Sequence, residues 1–218
     1  PARLAPDPRL GLAMLLAAPL RAETVTIAAL GDSLTQGYGL VQEEGFVPQL
    51  QGWLAARGHA VTMINAGVSG DTTAGGLARI GWTLSPDVDA LIVALGGNDL
   101  LRGLPPEASR ANLEGILQAA KAAGVPVLLV GMEAPGNYGP EFKAAFDAIY
   151  PELAAQYGAL HAASFLGPLT DAAVADPRAA LASYMQADGI HPNAEGVGLI
   201  VTALGPLVEQ LIVSLPQS

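Results

Sequence analysis

From Thr24 onward the chain alternates between short apolar runs and longer amphipathic ones. The runs TVTIAAL (24–30), AVTMINA (60–66), DALIVAL (89–95) and VPVLLVG (125–131) have the length of strands. Their apolar residues fall on successive positions, which places hydrophobic side chains on both faces. That pattern suits parallel strands covered by helices on either side. ALHAASF (159–165) reads as a weaker fifth strand. Between these runs the apolar residues recur at helical spacing. Phe46, Leu50, Trp53 and Leu54 share one face, with Gly58 where a helix-ending residue belongs. Leu113, Ile116, Leu117 and Ala120 form a second stripe that stops before Gly124. Phe142, Phe146, Ile149, Leu153 and Tyr157 form a third, with a kink expected at Pro151. A last helix is predicted after Asn193, burying Val197, Ile200, Val201, Leu204, Val208, Leu211 and Ile212, with a bend expected at Gly205-Pro206. Strand–helix alternation of this kind predicts α/β architecture, a three-layer α/β/α sandwich forming one domain over residues 23–218.

Residues 1–22 do not fit this alternation. Arg3 and Arg9 precede an apolar run, LGLAMLLAAPL (10–20), which is too short to cross a bilayer as a helix. A basic start followed by a short apolar run is the layout of a secretory signal peptide, and predicts export to the periplasm or beyond. Asp7 interrupts the basic part, and cleavage after Ala22 would put Leu20 where a small residue is preferred. The competing reading is a first core helix, which Pro6, Pro8 and Pro19 oppose.

Composition narrows the chemistry. The 218 residues are 51% hydrophobic and 14% charged, enough to bury a sizeable core and too apolar for a disordered chain. Ten basic against twenty acidic residues give a net charge of −10. Such a surface repels phosphate backbones, so nucleic acid is not expected as a partner. The absence of cysteine excludes disulfides, thiolate metal sites and a cysteine nucleophile. Three histidines, His59, His161 and His191, leave little material for a metal centre. No metal or cofactor is expected.

In an open parallel sheet, ligands sit beyond the carboxyl ends of the strands, where strand order reverses. The loops following the strands are therefore the ones to read. After the first strand comes Gly31-Asp32-Ser33-Leu34-Thr35-Gln36-Gly37. A serine held at a sharp strand-to-helix turn presents its hydroxyl at the rim of the sheet, as a nucleophile requires. By itself the same loop reads equally as a helix cap, since Ser and Asp favour helix starts. Near the end stands Asp188-Gly189-Ile190-His191-Pro192. A serine hydroxyl attacks an acyl carbon only if a base removes its proton, usually a neutral imidazole oriented by a carboxylate. His191 alone has an acid at usable spacing, because Asp188 can fold back to its second ring nitrogen if Gly189 allows a tight turn. His59 follows a helix-ending glycine and reads as solvent-exposed, while His161 falls inside a strand. The loop after the second strand ends in Ser69-Gly70, and the loop after the third reads Gly96-Gly97-Asn98-Asp99. The bare backbone N–H of Gly70 and the side-chain amide of Asn98 could both point at an oxyanion. Each of these loops is individually an ordinary turn by composition.

Their order changes the reading. A Ser loop, a Gly loop and an Asn loop follow strands one, two and three, and D-x-x-H precedes the last helix. Over residues 24–213 this resembles the SGNH (GDSL) hydrolase family, on Gly31-Asp32-Ser33-Leu34, Gly70 in S-G-D-T, Asn98 in G-G-N-D, and Asp188 with His191 in D-G-I-H-P. The segments L-G-D-S-L-T (30–35), N-A-G-V-S-G-D-T-T (65–73), L-G-G-N-D-L-L-R-G-L (95–104) and A-P-G-N-Y-G (134–139) are most similar to the bacterial thioesterase I/lysophospholipase/arylesterase branch. The resemblance implies a flavodoxin-like five-stranded parallel sheet and metal-free hydrolysis of small-molecule esters and thioesters. It implies Ser33 as nucleophile, His191 as base, Asp188 as its orienting acid, and an oxyanion hole of Ser33, Gly70 and Asn98. Asp32 and Asp99 are read as ordering their loops. Leu100, Leu101 and Leu104 after the Asn block, and Tyr138 in Pro135–Pro140, are expected to line an acyl groove; the alternative is a loop that merely packs on a neighbouring helix. Arg102 offers one cation for an anionic head group. A processed monomer without stable membrane insertion is expected. Two rival functions share these loops: carbohydrate O-acetyl esterase, and a non-catalytic flavodoxin-like module holding a ligand at Gly31–Gly37.

Overall fold

The computed structural model describes residues 24–172 and 182–216. The leader expected at residues 1–22 lies outside them. Five strands form one parallel sheet: β1 (Val25–Gly31), β2 (Val61–Gly67), β3 (Ala90–Ala94), β4 (Val127–Val130) and β5 (Leu160–Ala162). Their order is β2-β1-β3-β4-β5. The chain steps one way from β1 to β2 and then the other way through β3, β4 and β5. The order therefore reverses between β1 and β3, and a crevice opens beyond their carboxyl ends.

The connecting helices cover both faces of the sheet. α1 (Ser33–Gln36) is a single turn; α2 (Phe46–Ala56) follows it and packs against the last helix, α9 (Ala194–Val213). On the other face lie α3 (Thr73–Thr83), the short α4 (Gly97–Leu101), α5 (Pro106–Ala122), α6 (Pro140–Asp147) and α7 (Ile149–Tyr157), with α3 on α5 and α5 on α7. α8 (Gly167–Ala172) adjoins α9. The three-layer sandwich is as the sequence predicts.

Two local expectations are corrected. β2 is not covered on both faces: it is the edge strand, its residues are half-buried or exposed, and Ile64 reaches solvent. β3 in the middle is buried at every position. The third stripe is two helices rather than one kinked helix. The break lies at Ala148, before Pro151, because a proline ring inside a helix collides with the carbonyl four residues earlier, here Asp147. α9 is one continuous helix that contains Gly205-Pro206. Gly205 serves a close approach there, since a Cβ at that position would collide with the Trp53 ring.

Candidate active site

Each reactive group is set by the chain that follows a strand. At the end of β1, Asp32 caps α1 and its Oδ1 accepts the Leu34 N–H at 3.0 Å. Ser33 is thereby the first residue of the helix, its hydroxyl at the sheet rim. α1 is closed after one turn by Gly37, whose φ of +90° is in the left-handed region that glycine tolerates. The Gly loop after β2 is fastened from two sides. Arg79 donates to the Ala66 carbonyl at 2.6 Å, to the Gly31 carbonyl at 2.8 Å and to Asp71 at 2.6 Å, so one guanidinium joins the ends of β1 and β2. Arg102 donates to the Gly70 carbonyl at 2.7 Å, which fixes the loop from the other side.

After β3, the Leu95 carbonyl accepts the Tyr150 hydroxyl at 2.9 Å, and Gly96 leaves room for that hydroxyl. Asn98 then projects its Nδ2 toward Asp32, donating to Oδ2 at 3.2 Å. The neighbouring Asp99 is fully buried and accepts from the Thr73 amide at 2.9 Å, the Thr73 hydroxyl at 2.6 Å and the Ser109 hydroxyl at 3.0 Å. It ties the starts of α3 and α5 to α4. Both carboxylates thus order their loops.

The turn before α9 completes the arrangement. Gly189 adopts φ +67°, so Asp188 folds back and its Oδ1 accepts the amides of Ile190 at 2.9 Å and His191 at 3.0 Å. Its Oδ2 stands 2.7 Å from His191 Nδ1, and Ser33 Oγ stands 2.8 Å from His191 Nε2. With Nδ1–H donated to the carboxylate, Nε2 is bare and accepts the Ser33 hydroxyl. The His191 side chain and the two backbone amides hold the Asp188 pKa down at about 2. Asp188 therefore stays ionised until the pH falls through that value, and its carboxylate orients the ring through Nδ1.

Asp32 behaves oppositely. Burial lifts its pKa to about 6 against the Leu34 and Asn98 hydrogen bonds, which pull it down. A carboxyl that is harder to ionise when folded makes the native state lose stability as pH rises from about 4 to about 6. A shift of that size corresponds to about 3 kcal/mol. Asp32→Asn should add a pH-independent penalty for its rearranged hydrogen bonds and remove the titration. The melting temperature of the variant relative to the parent should accordingly rise between pH 4 and 7. A difference constant across that range would refute the assignment.

A cleft of about 730 Å³ opens over these groups, bordered by Ser33, Gly70, Asn98 and His191. Leu100, Leu101 and Tyr138 border it as expected; Leu104 does not. The turn after α4 carries Leu104 away, its N–H on the Asp99 carbonyl at 2.9 Å. Leu101 is 63% exposed, so it is not consumed by packing, whereas the Tyr138 ring both faces the cleft and lies 4.9 Å from Phe142. Sequence reasoning missed Tyr38, whose ring centroid lies 4.7 Å from that of His191. It also missed Met132 and Glu133 after β4, Ser164, Leu166 and Thr170 after β5, and Ile190. The carboxyl-end rule pointed at the loops after β4 and β5 as much as at the first three. Of the other histidines, His59 is not free in solvent: its Nε2 lies 2.8 Å from Glu209 Oε1, which Arg57 also contacts. His161 lies on β5 away from the cleft, and burial lowers its pKa.

Comparison with known proteins identifies the family. Residues 29–199 match the model of the GDSL-like lipase/acylhydrolase family. The chain is 37% identical over 193 residues to esterase TesA of Pseudomonas aeruginosa, covering 88% of this chain and 92% of that one. It is 34% identical over 188 residues to thioesterase 1/protease 1/lysophospholipase L1 of Escherichia coli K12, covering 86% and 85%. Among solved structures it is similar to AlinE4, an SGNH-hydrolase family esterase, with 44% identity, a TM-score of 0.68 and coverage of 86% and 96%. A match across most of the domain, in sequence and in fold, leaves one conclusion: the chain belongs to the GDSL-like lipase/acylhydrolase family, as an ester hydrolase.

Proposed function

We propose that the protein hydrolyses carboxylic esters and thioesters with Ser33 as nucleophile, His191 as base and Asp188 as its orienting acid. The observation that carries this reading is the continuous chain of contacts Asp188–His191–Ser33, at 2.7 and 2.8 Å, opening into a cleft with apolar walls. His191 Nε2 takes the Ser33 proton as Oγ bonds to the acyl carbon. The carbonyl π pair moves to oxygen, and the resulting oxyanion is met by the N–H groups of Ser33 and Gly70 and the Asn98 amide. His191 then gives its proton to the departing alcohol or thiol as the bond to carbon breaks. Water, deprotonated by the same imidazole, attacks the acyl-serine; the acyl C–Oγ bond then breaks as His191 returns the proton to Ser33, releasing the acid.

An acyl chain is the ligand that the apolar walls at Leu100, Leu101, Met132 and Leu166 suit. Acetyl groups of carbohydrates, the main alternative, would leave that surface uncovered. A p-nitrophenyl ester series should therefore show kcat/KM rising from acetate to medium acyl chains. Acetate as the best substrate would overturn the groove assignment. The catalytic assignment has its own test: a fluorophosphonate should label the peptide containing Ser33, and an unlabelled protein would favour the non-catalytic module. Export is supported only by the basic-then-apolar order of residues 1–22.

A further inference from the structure

The nucleophile and its base come from chain segments 158 positions apart, and their contact depends on how the Asp188–His191 turn sits on the loop after α1. Gln186 lies at the centre of that junction. Its backbone N–H donates to the His191 carbonyl at 2.8 Å, and its own carbonyl accepts the Gly189 N–H at 3.0 Å. These two bonds close the turn that presents Asp188 and His191, and Met185 bridges Pro192 beside them. The side chain then reaches outward. Nε2 donates to the Tyr38 carbonyl at 2.8 Å and to the Pro192 carbonyl at 3.0 Å, using both amide hydrogens. Two carbonyl acceptors fix which end of the amide faces them. Oε1 rests against Gly39, where a Cβ would collide with it.

One carbonyl belongs to the nucleophile's loop and the other follows the base directly. Tyr38 in turn lays its ring on His191. Apart from the Ser33–His191 contact itself, no other hydrogen bond joins Ser33–Val41 to Met185–Pro192 among the described residues.

We propose that Gln186 is a positioning residue for the reaction, a strut that sets the separation between the Ser33 hydroxyl and the His191 imidazole and holds the Tyr38 ring against the base. It touches neither substrate nor the reacting atoms. The inference rests on Ser33 and His191 acting as nucleophile and base. Its chemical content is specific: the strut needs two hydrogens directed at two carbonyls, so residue length alone does not replace it.

Gln186→Met keeps the length and removes both donors. Gln186→Glu keeps the shape but, when ionised, turns two oxygens toward two carbonyls. Both variants should lose about 10- to 100-fold in kcat, with KM for the same p-nitrophenyl ester within about twofold, because a misplaced base slows proton transfer without altering the acyl groove. Phosphonylation of Ser33 by a fluorophosphonate should slow in parallel, since it needs the same proton transfer. Titrating reactive sites with that reagent separates positioning from mere stability. Loss of folded protein reduces the number of sites, whereas loss of position lowers the rate at each one. A kcat per titrated site within twofold of the parent, in either variant, would overturn the proposal. If both variants fail to fold, Gly39→Ala displaces the amide from the opposite side and should slow each site in the same way; an unchanged rate there would also overturn it. Failure of the catalytic reading looks different, because the parent protein would then remain unlabelled at Ser33.

Discussion

Ser33→Ala is expected to lower kcat on a p-nitrophenyl ester by about 10⁴-fold or more, with His191→Ala falling as far. Ser33 supplies the atom that bonds to the acyl carbon, and at 2.8 Å its hydroxyl already points its proton at Nε2. Alanine leaves the cleft, the oxyanion donors and the groove intact, so the residual rate measures what those alone do for attack by water. The double variant should lose no more than either single one, because each removal disables the same step. KM should move little in all three. Ester turnover by Ser33→Ala at the parental rate would reject the mechanism outright, and independent, multiplying losses would mean that the two groups do not act as a unit.

The second large effect is expected at Asn98. Asn98→Ala should lower kcat by about 10²- to 10³-fold, the cost of removing one preorganised oxyanion donor. The amide does not wander: Nδ2 donates to Asp32 Oδ2 at 3.2 Å, and Asp32 is itself fixed by the Leu34 N–H. Its remaining hydrogen is available to the cleft that Asn98 borders. Asn98→Asp, close in shape but lacking that donor and placing charge beside Asp32, should fall at least as far. The loss belongs in kcat rather than KM, because the negative charge that the donor meets develops only as the tetrahedral species forms. An Asn98→Ala enzyme with a raised KM and unchanged kcat would assign this residue to substrate binding.

Much of this arrangement was legible in the residues because its information is local. A Ser, Gly or Asn just after an apolar run is read from a few positions. Asp188 reaches His191 across three residues with a glycine between, a geometry that short-range rules capture. The strands β1, β3 and β4 carry unbroken apolar runs for the same reason. What escaped depends on distant parts of the chain. AVTMINA reads like a covered strand, yet the sheet order leaves β2 at the edge, and order is set by crossovers rather than by strand composition. Leu104 is as apolar as Leu101, but a backbone bond to Asp99 turns it away from the cleft. Arg79, Tyr38 and Gln186 carry no motif; each matters through partners tens to well over a hundred positions away. Helix breaking at Pro151 was legible as an event and misplaced by a few residues, because a proline acts on the turn before it.

Because all five strands run the same way, every loop that shapes the cleft leaves by one edge of the sheet and the returning turns collect at the other. Three of those turns contain Gly58, Gly124 and Gly158, exposed residues with open space where a side chain would go. They are the natural places to splice in a tag, a peptide or new chain ends, since added length there projects into water on the side remote from the chemistry.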